Sequence, residues 1–200
     1  MIIKQTLSIL FLSAALLPAV FAQSNKATDY LNIPGPVVFD NKSFKLDWSS
    51  HPADYFYKQE YLPAGEKTGK YKTMLLVDVL TGDKTIKEVT AQKIEELKQL
   101  KQSNPVVNYN IFDNPSSGEY MIDFLLSANN PDGSMSIVER NVYRYKTFTD
   151  KNGKKGILLF GISTRAYGKD IDGFFVKLKA NKNGLVNQVA KFAIPAIDIK

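Results

Sequence analysis

Hydrophobic and polar residues alternate in several stretches of the chain, which is the pattern of strands with one buried face. Phe44, Leu46 and Trp48 alternate with Lys45 and Asp47, and a tyrosine-rich stretch at 55–61 is the expected hairpin partner. Residues 71–80 (YKTMLLVDVL) are apolar enough to form a central strand. The first part of the chain therefore predicts a sheet.

The clearest helix is predicted after residue 85. Thr85 can cap it, and Glu88 stands three residues later, which is the spacing of a capping box. The spacing of the apolar residues places them on one stripe: Ile86, Val89, Ile94, Leu97 and Leu100. Asn104-Pro105 is expected to end this helix.

Residues 106–167 predict an antiparallel meander, because β-prone segments alternate with turn sequences such as Pro131-Asp132-Gly133. The chain then returns to helix. Asp170 is a candidate cap, and Phe174, Phe175 and Leu178 are expected to be buried. Gly184 introduces a break before Leu185, Val186 and Val189.

This order predicts an α+β fold, an antiparallel sheet on which a mid-chain helix and a C-terminal helix pack. Residues 37–200 are predicted to form one such domain. With its leading hairpin and long C-terminal helix, the order of elements resembles that of the Mog1/PsbP-like group over residues 40–192. This resemblance implies a non-catalytic accessory or binding protein, and it transfers no functional residue to this chain.

The N-terminus predicts export. Lys4 precedes an apolar run at residues 7–17 that is too short to span a membrane, and small residues follow. Residues 1–22 therefore read as a signal peptide that is cleaved between Ala22 and Gln23. Residues 23–36 are predicted to be a flexible segment. The product is expected in the periplasm or outside the cell, with no transmembrane segment after signal removal.

Composition narrows the chemistry further. The chain has no Cys and one His, which excludes thiol catalysis, disulfides and Cys-ligated metals. The net charge of +6 favours anionic partners. Export makes nucleic acid an unsuitable partner, and no Gly-rich phosphate loop is present. We predict no cofactor and no metal site.

Two local motifs invite a catalytic or metal-binding interpretation. His51 shares a predicted strand face with Asp47, but the two are about 13 Å apart along a strand, so Asp47 cannot orient the imidazole. His51 is therefore expected to be exposed or to stabilise a turn. Residues 150–153 and 170–173 resemble parts of a calcium loop but lack its closing Glu, so a turn and a helix cap explain them better.

The hairpin at 136–166 carries the candidate ligand site. A two-residue turn at Asn152-Gly153 makes the numbers of facing residues sum to 305, so that Arg140 faces Arg165. The predicted anion-binding residues share one sheet face: Arg140, Arg144, Lys146 and Arg165. The alternative is a solvated, salt-bridged face, with Asp123 on the neighbouring strand as an internal partner.

These observations favour an exported, non-enzymatic binding or accessory protein that recognises an anionic envelope component or a protein partner. A secreted effector or inhibitor needs only a surface and fits equally well by sequence. An exported hydrolase that uses two carboxylates is the third alternative, because such a pair needs no local motif.

Overall fold

The fold is described from a computed structural model, which describes residues 27–200. The predicted signal peptide and its cleavage position lie outside the described residues. The strands are β1 (Val37–Phe39), β2 (Lys42–Ala53), β3 (Phe56–Pro63), β4 (Thr73–Thr81), β5 (Asn108–Asn114), β6 (Glu119–Asn129), β7 (Met135–Thr149) and β8 (Lys155–Tyr167). The helices are α1 (Ile86–Ser103), α2 (Ile171–Ala180) and α3 (Gly184–Lys191).

All eight strands form one antiparallel sheet in the order β1-β2-β3-β4-β8-β7-β6-β5. The chain therefore has an α+β fold with an antiparallel sheet. Strand β4 lies near the middle of the sheet, and all of its residues except the two terminal threonines are buried. The predictions of a central strand at 71–80, a hairpin at its N-terminal side and a meander at 106–167 are confirmed.

Helix α1 begins and ends where the sequence predicts. The Glu88 backbone N–H donates to Thr85 Oγ1 at 3.2 Å, and the Thr85 N–H donates to Glu88 Oε2 at 2.7 Å, which completes the capping box. Asn104 is the C-terminal cap. Val89 and Leu97 of the predicted stripe are buried, whereas Leu100 at the end of the stripe is 38% exposed.

Each face of the sheet contributes to a separate hydrophobic cluster. We call one the α1 face; its cluster joins α1 to the sheet through Val89, Leu97, Leu76, Ile122, Tyr143 and Leu159. We call the other the α3 face; its cluster includes Val186, Val189, Val77, Val142, Phe160 and Ile162. Adjacent residues of a strand belong to different clusters because side chains alternate across a strand.

The two ends of the described chain complete the α3 face. Leu31 and Ile33 are buried in its cluster, as are Ile197 and Ile199. The backbone N–H of Asp198 donates to the Leu31 carbonyl at 2.9 Å, so the two segments are hydrogen-bonded to each other. Residues 23–36 were predicted to be a flexible segment; within it, the side chains of Leu31 and Ile33 are buried in the core.

The β7–β8 hairpin differs from the prediction by one residue. Its facing residues sum to 304, with Ile137 opposite Tyr167 and Thr149 opposite Lys155. Asp150 begins the turn: its carbonyl accepts from the Gly153 N–H, and its Oδ1 accepts from the N–H groups of Asn152 and Lys154. Gly153 has a positive φ and Asn152 does not. The turn is therefore a longer one that starts at Asp, and not a two-residue Asn-Gly turn.

Trp48 and the apolar residues of α2 are more exposed to solvent than the sequence predicts. A bulge at Asp47 pairs Leu46 with Tyr61 but Trp48 with Glu60, so Trp48 does not continue the Leu46 face and is 37% exposed. On α2, the residues expected to be buried (Phe174, Phe175 and Leu178) are only half-buried, and Val176 is exposed. Helix α2 therefore covers the sheet loosely.

Candidate functional site

Arg140 lies on the α3 face and is bound inside the fold. Its Nε and Nη2 donate to the two carboxylate oxygens of Asp123 on β6, at 2.8 and 3.0 Å. Nη2 also donates to the Lys182 carbonyl at 2.5 Å. Both side chains of the pair are buried. The internal partner considered from the sequence, Asp123, is therefore the one observed, and the forked pairing is the geometry that arginine favours.

Arg144 occupies the same face four residues further along β7. Its Nε and Nη2 donate to Glu119 at 2.9 and 3.0 Å, and Nη1 donates to the carbonyls of Val189 and Phe192 at 3.1 and 2.9 Å. Arg144 thus fixes the C-terminal end of α3 to the sheet. Lys146 is half-buried and forms no ion pair with residues 27–200.

Arg165 lies on the opposite side of the sheet. It pairs with Glu139 on the α1 face, with Nε at 2.6 Å from Oε2, and its guanidinium stands 4.2 Å from the centre of the Tyr71 ring. Glu139 also accepts from the Tyr71 hydroxyl at 2.6 Å and from Asn141 at 3.0 Å. Burial raises the pKa of the Tyr71 hydroxyl, as does the charge of Glu139, so this hydroxyl remains a donor.

The predicted cluster is therefore divided. Arg140 faces Thr164, and Arg165 faces Glu139, because the register differs by one residue. The prediction that Arg140 faces Arg165 on one surface is wrong. Arg140, Arg144 and Arg165 each bind a carboxylate of this chain, which is the role of a structural ion pair.

A cavity lies on the α3 face, between the sheet and the two C-terminal helices. It has a volume of about 610 Å³, within the range of small-molecule sites. We call it the α2–α3 cavity. Its apolar lining comes from Phe39, Phe44, Ile162, Phe174, Leu178, Ala180 and Leu185; its polar lining comes from Asp40, Lys42, Thr73, Arg140, Thr164, Lys177, Asn181 and Gln188.

Two lysines give this cavity a cationic rim. Lys42 begins β2 and Lys177 lies on α2; both are exposed, and neither forms an ion pair within the described part of the chain. The one acid in the lining, Asp40, accepts from Gln188 Nε2 at 2.8 Å. Arg140 is neutralised by Asp123, so the lysines leave a net positive charge at the opening.

A second cavity of about 390 Å³ lies on the other side of α2, toward β5 and β6. Arg140 and Leu178 line both cavities. Asn108 and Asn110 of β5 and Lys179 and Lys182 complete its polar rim. The half-buried apolar residues of α2 are thus explained, since the helix lies between two openings.

The sequence could not identify these cavities, because their residues come from distant segments with no common motif. The only signal was in α2 itself, where Phe174, Phe175, Val176 and Leu178 place apolar side chains around the whole helix. A helix with apolar side chains on all sides cannot bury all of them by packing one of its faces against the sheet.

Two acids on the α1 face have raised pKa values. Burial raises the pKa of Glu60 to about 7 and that of Asp78 to about 6. Asp78 Oδ1 is buried without a hydrogen-bond partner among the described residues. Neither acid lines either of the two cavities described above.

His51 and Asp150, which begins the first of the two segments that resemble parts of a calcium loop, have local structural roles. The His51 Nδ1 lies 3.0 Å from the Phe56 carbonyl across the β2–β3 turn, and the ring stacks on Tyr57 at 4.1 Å. Asp150 organises the β7–β8 turn, whereas Asp170 precedes α2 without a side-chain cap bond. Among residues 27–200, no group of three or more His, Cys, Asp or Glu side chains is arranged to hold a metal ion.

Comparison with known proteins gives a family match. A protein-family model covers residues 31–194, and its description assigns no activity. The matched span contains every residue that lines the two cavities. No curated protein and no solved structure matches the chain. None of the helices in the described region has the length and apolar character needed to cross a membrane.

Proposed function

The chain belongs to the family whose model matches residues 31–194, and from that premise we propose that it is an exported, non-enzymatic binding protein for an amphipathic anion. The ligand occupies the α2–α3 cavity, with its apolar body between the sheet and α2. Its anionic group lies at the rim beside Lys42 and Lys177. The observation that carries this proposal is the largely apolar cavity whose opening holds two lysines that form no ion pair with a described acid, against one aspartate, Asp40.

The lining favours this class of ligand for physical reasons. Aromatic and aliphatic side chains from β1, β2, β8, α2 and α3 surround the cavity. Replacing water in such a lining by an apolar ligand is favourable. A charged group cannot enter such a lining without a partner, so it stays at the rim. Thr73 and Thr164 on the floor can hydrogen-bond a polar group within the ligand.

This proposal moves the anion site away from the arginines. Arg140 lies between the two cavities, and its positive charge is paired with the carboxylate of Asp123. An anionic ligand from the cell envelope, such as a fatty acyl chain with a carboxylate or phosphate head, has the required chemistry. Export itself is supported by the predicted signal peptide at residues 1–22.

Calorimetric titration with dodecanoate below its critical micelle concentration tests the proposal. Dodecyltrimethylammonium has the same alkyl chain with the opposite charge and serves as the ligand control. We expect dodecanoate to bind and the cation to bind at least about tenfold more weakly, because the two lysines at the opening attract the anion and repel the cation. A factor of ten corresponds to about 1.4 kcal/mol of binding free energy. Equal affinity for the two ions would contradict an anion site.

Variants locate the site. Replacing both Lys42→Gln and Lys177→Gln should weaken dodecanoate binding by about tenfold, as expected for losing charge-assisted contacts. The matched control replaces two exposed lysines of α1, Lys87→Gln and Lys101→Gln, and should leave binding unchanged. Thr164→Phe fills the floor of the cavity and should abolish binding. Loss of binding in the α1 control would show that only net charge matters.

A further inference from the structure

We propose that two copies of this chain associate through β5, which pairs with β5 of the second copy as antiparallel neighbours centred on Ile111. The two eight-stranded sheets then become one continuous sheet. This inference concerns assembly and does not depend on the cavity or its ligand. It rests on an open sheet edge, on the contrast with the other edge, and on the self-complementarity of the β5 sequence.

Strand β5 is an open edge. It hydrogen-bonds to β6 alone, and its seven residues, NYNIFDN, pair with β6 without a bulge. Six of the seven are exposed, including Ile111 at 41% and Phe112 at 37%. The strand contains no Pro, Lys or Arg. Three of its seven residues are hydrophobic, and a regular edge of this kind presents free backbone groups to which another strand can hydrogen-bond.

The opposite edge is protected by several devices that β5 lacks. Strand β1 has only three residues and follows Pro34-Gly35-Pro36. Where β1 ends, β2 becomes the edge, and there it carries Pro52 and two register irregularities. Such irregularities and prolines hinder strand addition. Selective protection of one edge indicates that the other is used.

The part of β6 beyond β5 is also covered. The Asn104 side chain donates to the Ser127 carbonyl at 2.9 Å, and the Ser127 hydroxyl donates to Asn104 Oδ1 at 3.1 Å. The open stretch is therefore limited to β5. Its length of seven residues is that of an ordinary strand.

A second copy is the occupant that this sequence fits. Ile111 is the middle residue of Asn108–Asn114, so antiparallel pairing about it overlaps the two strands completely. Ile111 then faces its own copy, and Tyr109 faces Asp113. The only charged residue of the strand therefore faces an aromatic ring and not another carboxylate, which avoids like-charge repulsion. The two-fold symmetry is that of the commonest dimers.

The side chains on both faces of β5 are compatible with this pairing. Ile111 pairs with Ile122 of β6, so the two Ile111 side chains extend an apolar row on the α1 face. Phe112 pairs with Met121 and, with Asn110, faces the other side. Association would cover the two exposed apolar residues of β5, which supplies a hydrophobic contribution beside the backbone hydrogen bonds.

The absence of cysteine from the sequence allows a direct test by disulfide cross-linking. Facing residues of antiparallel strands have Cα atoms about 4.5–5.5 Å apart, which lies within the range that a disulfide bridges. Ile111→Cys should therefore form a covalent dimer on mild oxidation. Val38→Cys is the matched control, because Val38 is 56% exposed on the protected edge.

We expect the cross-linked fraction of Ile111→Cys to exceed that of Val38→Cys by about tenfold or more, because association raises the local concentration of the two thiols. Equal cross-linking of the two variants would overturn the proposal. Sedimentation analysis of the unmodified chain should show a monomer–dimer equilibrium, which Ile111→Lys abolishes and Val38→Lys leaves unchanged. A monomer at every concentration would also overturn it.

Discussion

Replacing Arg140 by alanine tests whether the arginines of β7 and β8 hold the fold together. Arg140 is 5% exposed and Asp123 is 6% exposed, and two hydrogen bonds join them. The substitution leaves the Asp123 carboxylate buried without its cation. It also removes the bond to the Lys182 carbonyl, which lies between α2 and α3.

The expected loss is large because a buried charge without its partner is costly. Removing one partner of a buried ion pair destabilises a protein by about 3–5 kcal/mol. For a chain of this size, each kcal/mol lowers the melting temperature by about 2–4 °C. Arg140→Ala should therefore lower it by roughly 6–20 °C.

Urea unfolding measures this loss, with Lys146→Ala as the control on the same strand and the same face. Lys146 forms no ion pair with residues 27–200, so its removal should change the free energy of unfolding by less than about 1 kcal/mol. The double variant Arg140→Met with Asp123→Leu removes both charges and should recover most of the stability, because apolar replacements of a buried pair are well tolerated.

Two results would refute this reasoning. If Arg140→Ala is as stable as Lys146→Ala, the ion pair contributes little and Arg140 is available for a ligand. If the double variant is no more stable than Arg140→Ala, the loss arises from packing or from the Lys182 contact, and not from an uncompensated Asp123.

Two further predictions concern the α1 face. Because burial raises the pKa of Asp78 from 3.8 to about 6, its contribution to stability is full below about pH 4 and is lost as pH rises through 6. Asp78→Asn should therefore gain about 2 kcal/mol relative to the parent between pH 4 and pH 7, measured by urea unfolding at each pH; a constant difference would contradict the raised pKa. Thr85→Ala removes the capping box of α1 and should cost about 1 kcal/mol, whereas Thr85→Ser should cost little; equal losses for the two variants would show that the cap hydroxyl is not responsible.

The sequence predicts local elements well where one signal decides them. Thr85 and Glu88 fix the start of α1 by contacts three residues apart, and Asn104 ends it. Strand β4 is recognisable because six of its nine residues are apolar. The meander follows from turn sequences that lie between β-prone segments. All of these depend on neighbours in the chain.

The sequence does not predict the strand register or the packing where these depend on the type of a turn or on a contact between distant residues. Asp150 moves the β7–β8 turn by accepting two backbone N–H groups, and this change of one residue places Arg140 and Arg165 on opposite faces. Leu31 and Ile197 enter the same cluster from opposite ends of the described chain. No local pattern reports that contact, so the packed termini and the α2–α3 cavity were not predicted.

The most direct test of the proposed binding function is to locate dodecanoate by methyl NMR. Leu178 and Leu185 line the α2–α3 cavity, whereas Leu62 and Leu97 are buried in the α1-face cluster and serve as internal controls. We predict that saturating dodecanoate shifts the methyl signals of Leu178 and Leu185 and leaves those of Leu62 and Leu97 in place. Signals of Leu178 and Leu185 that do not move at saturation would contradict the account.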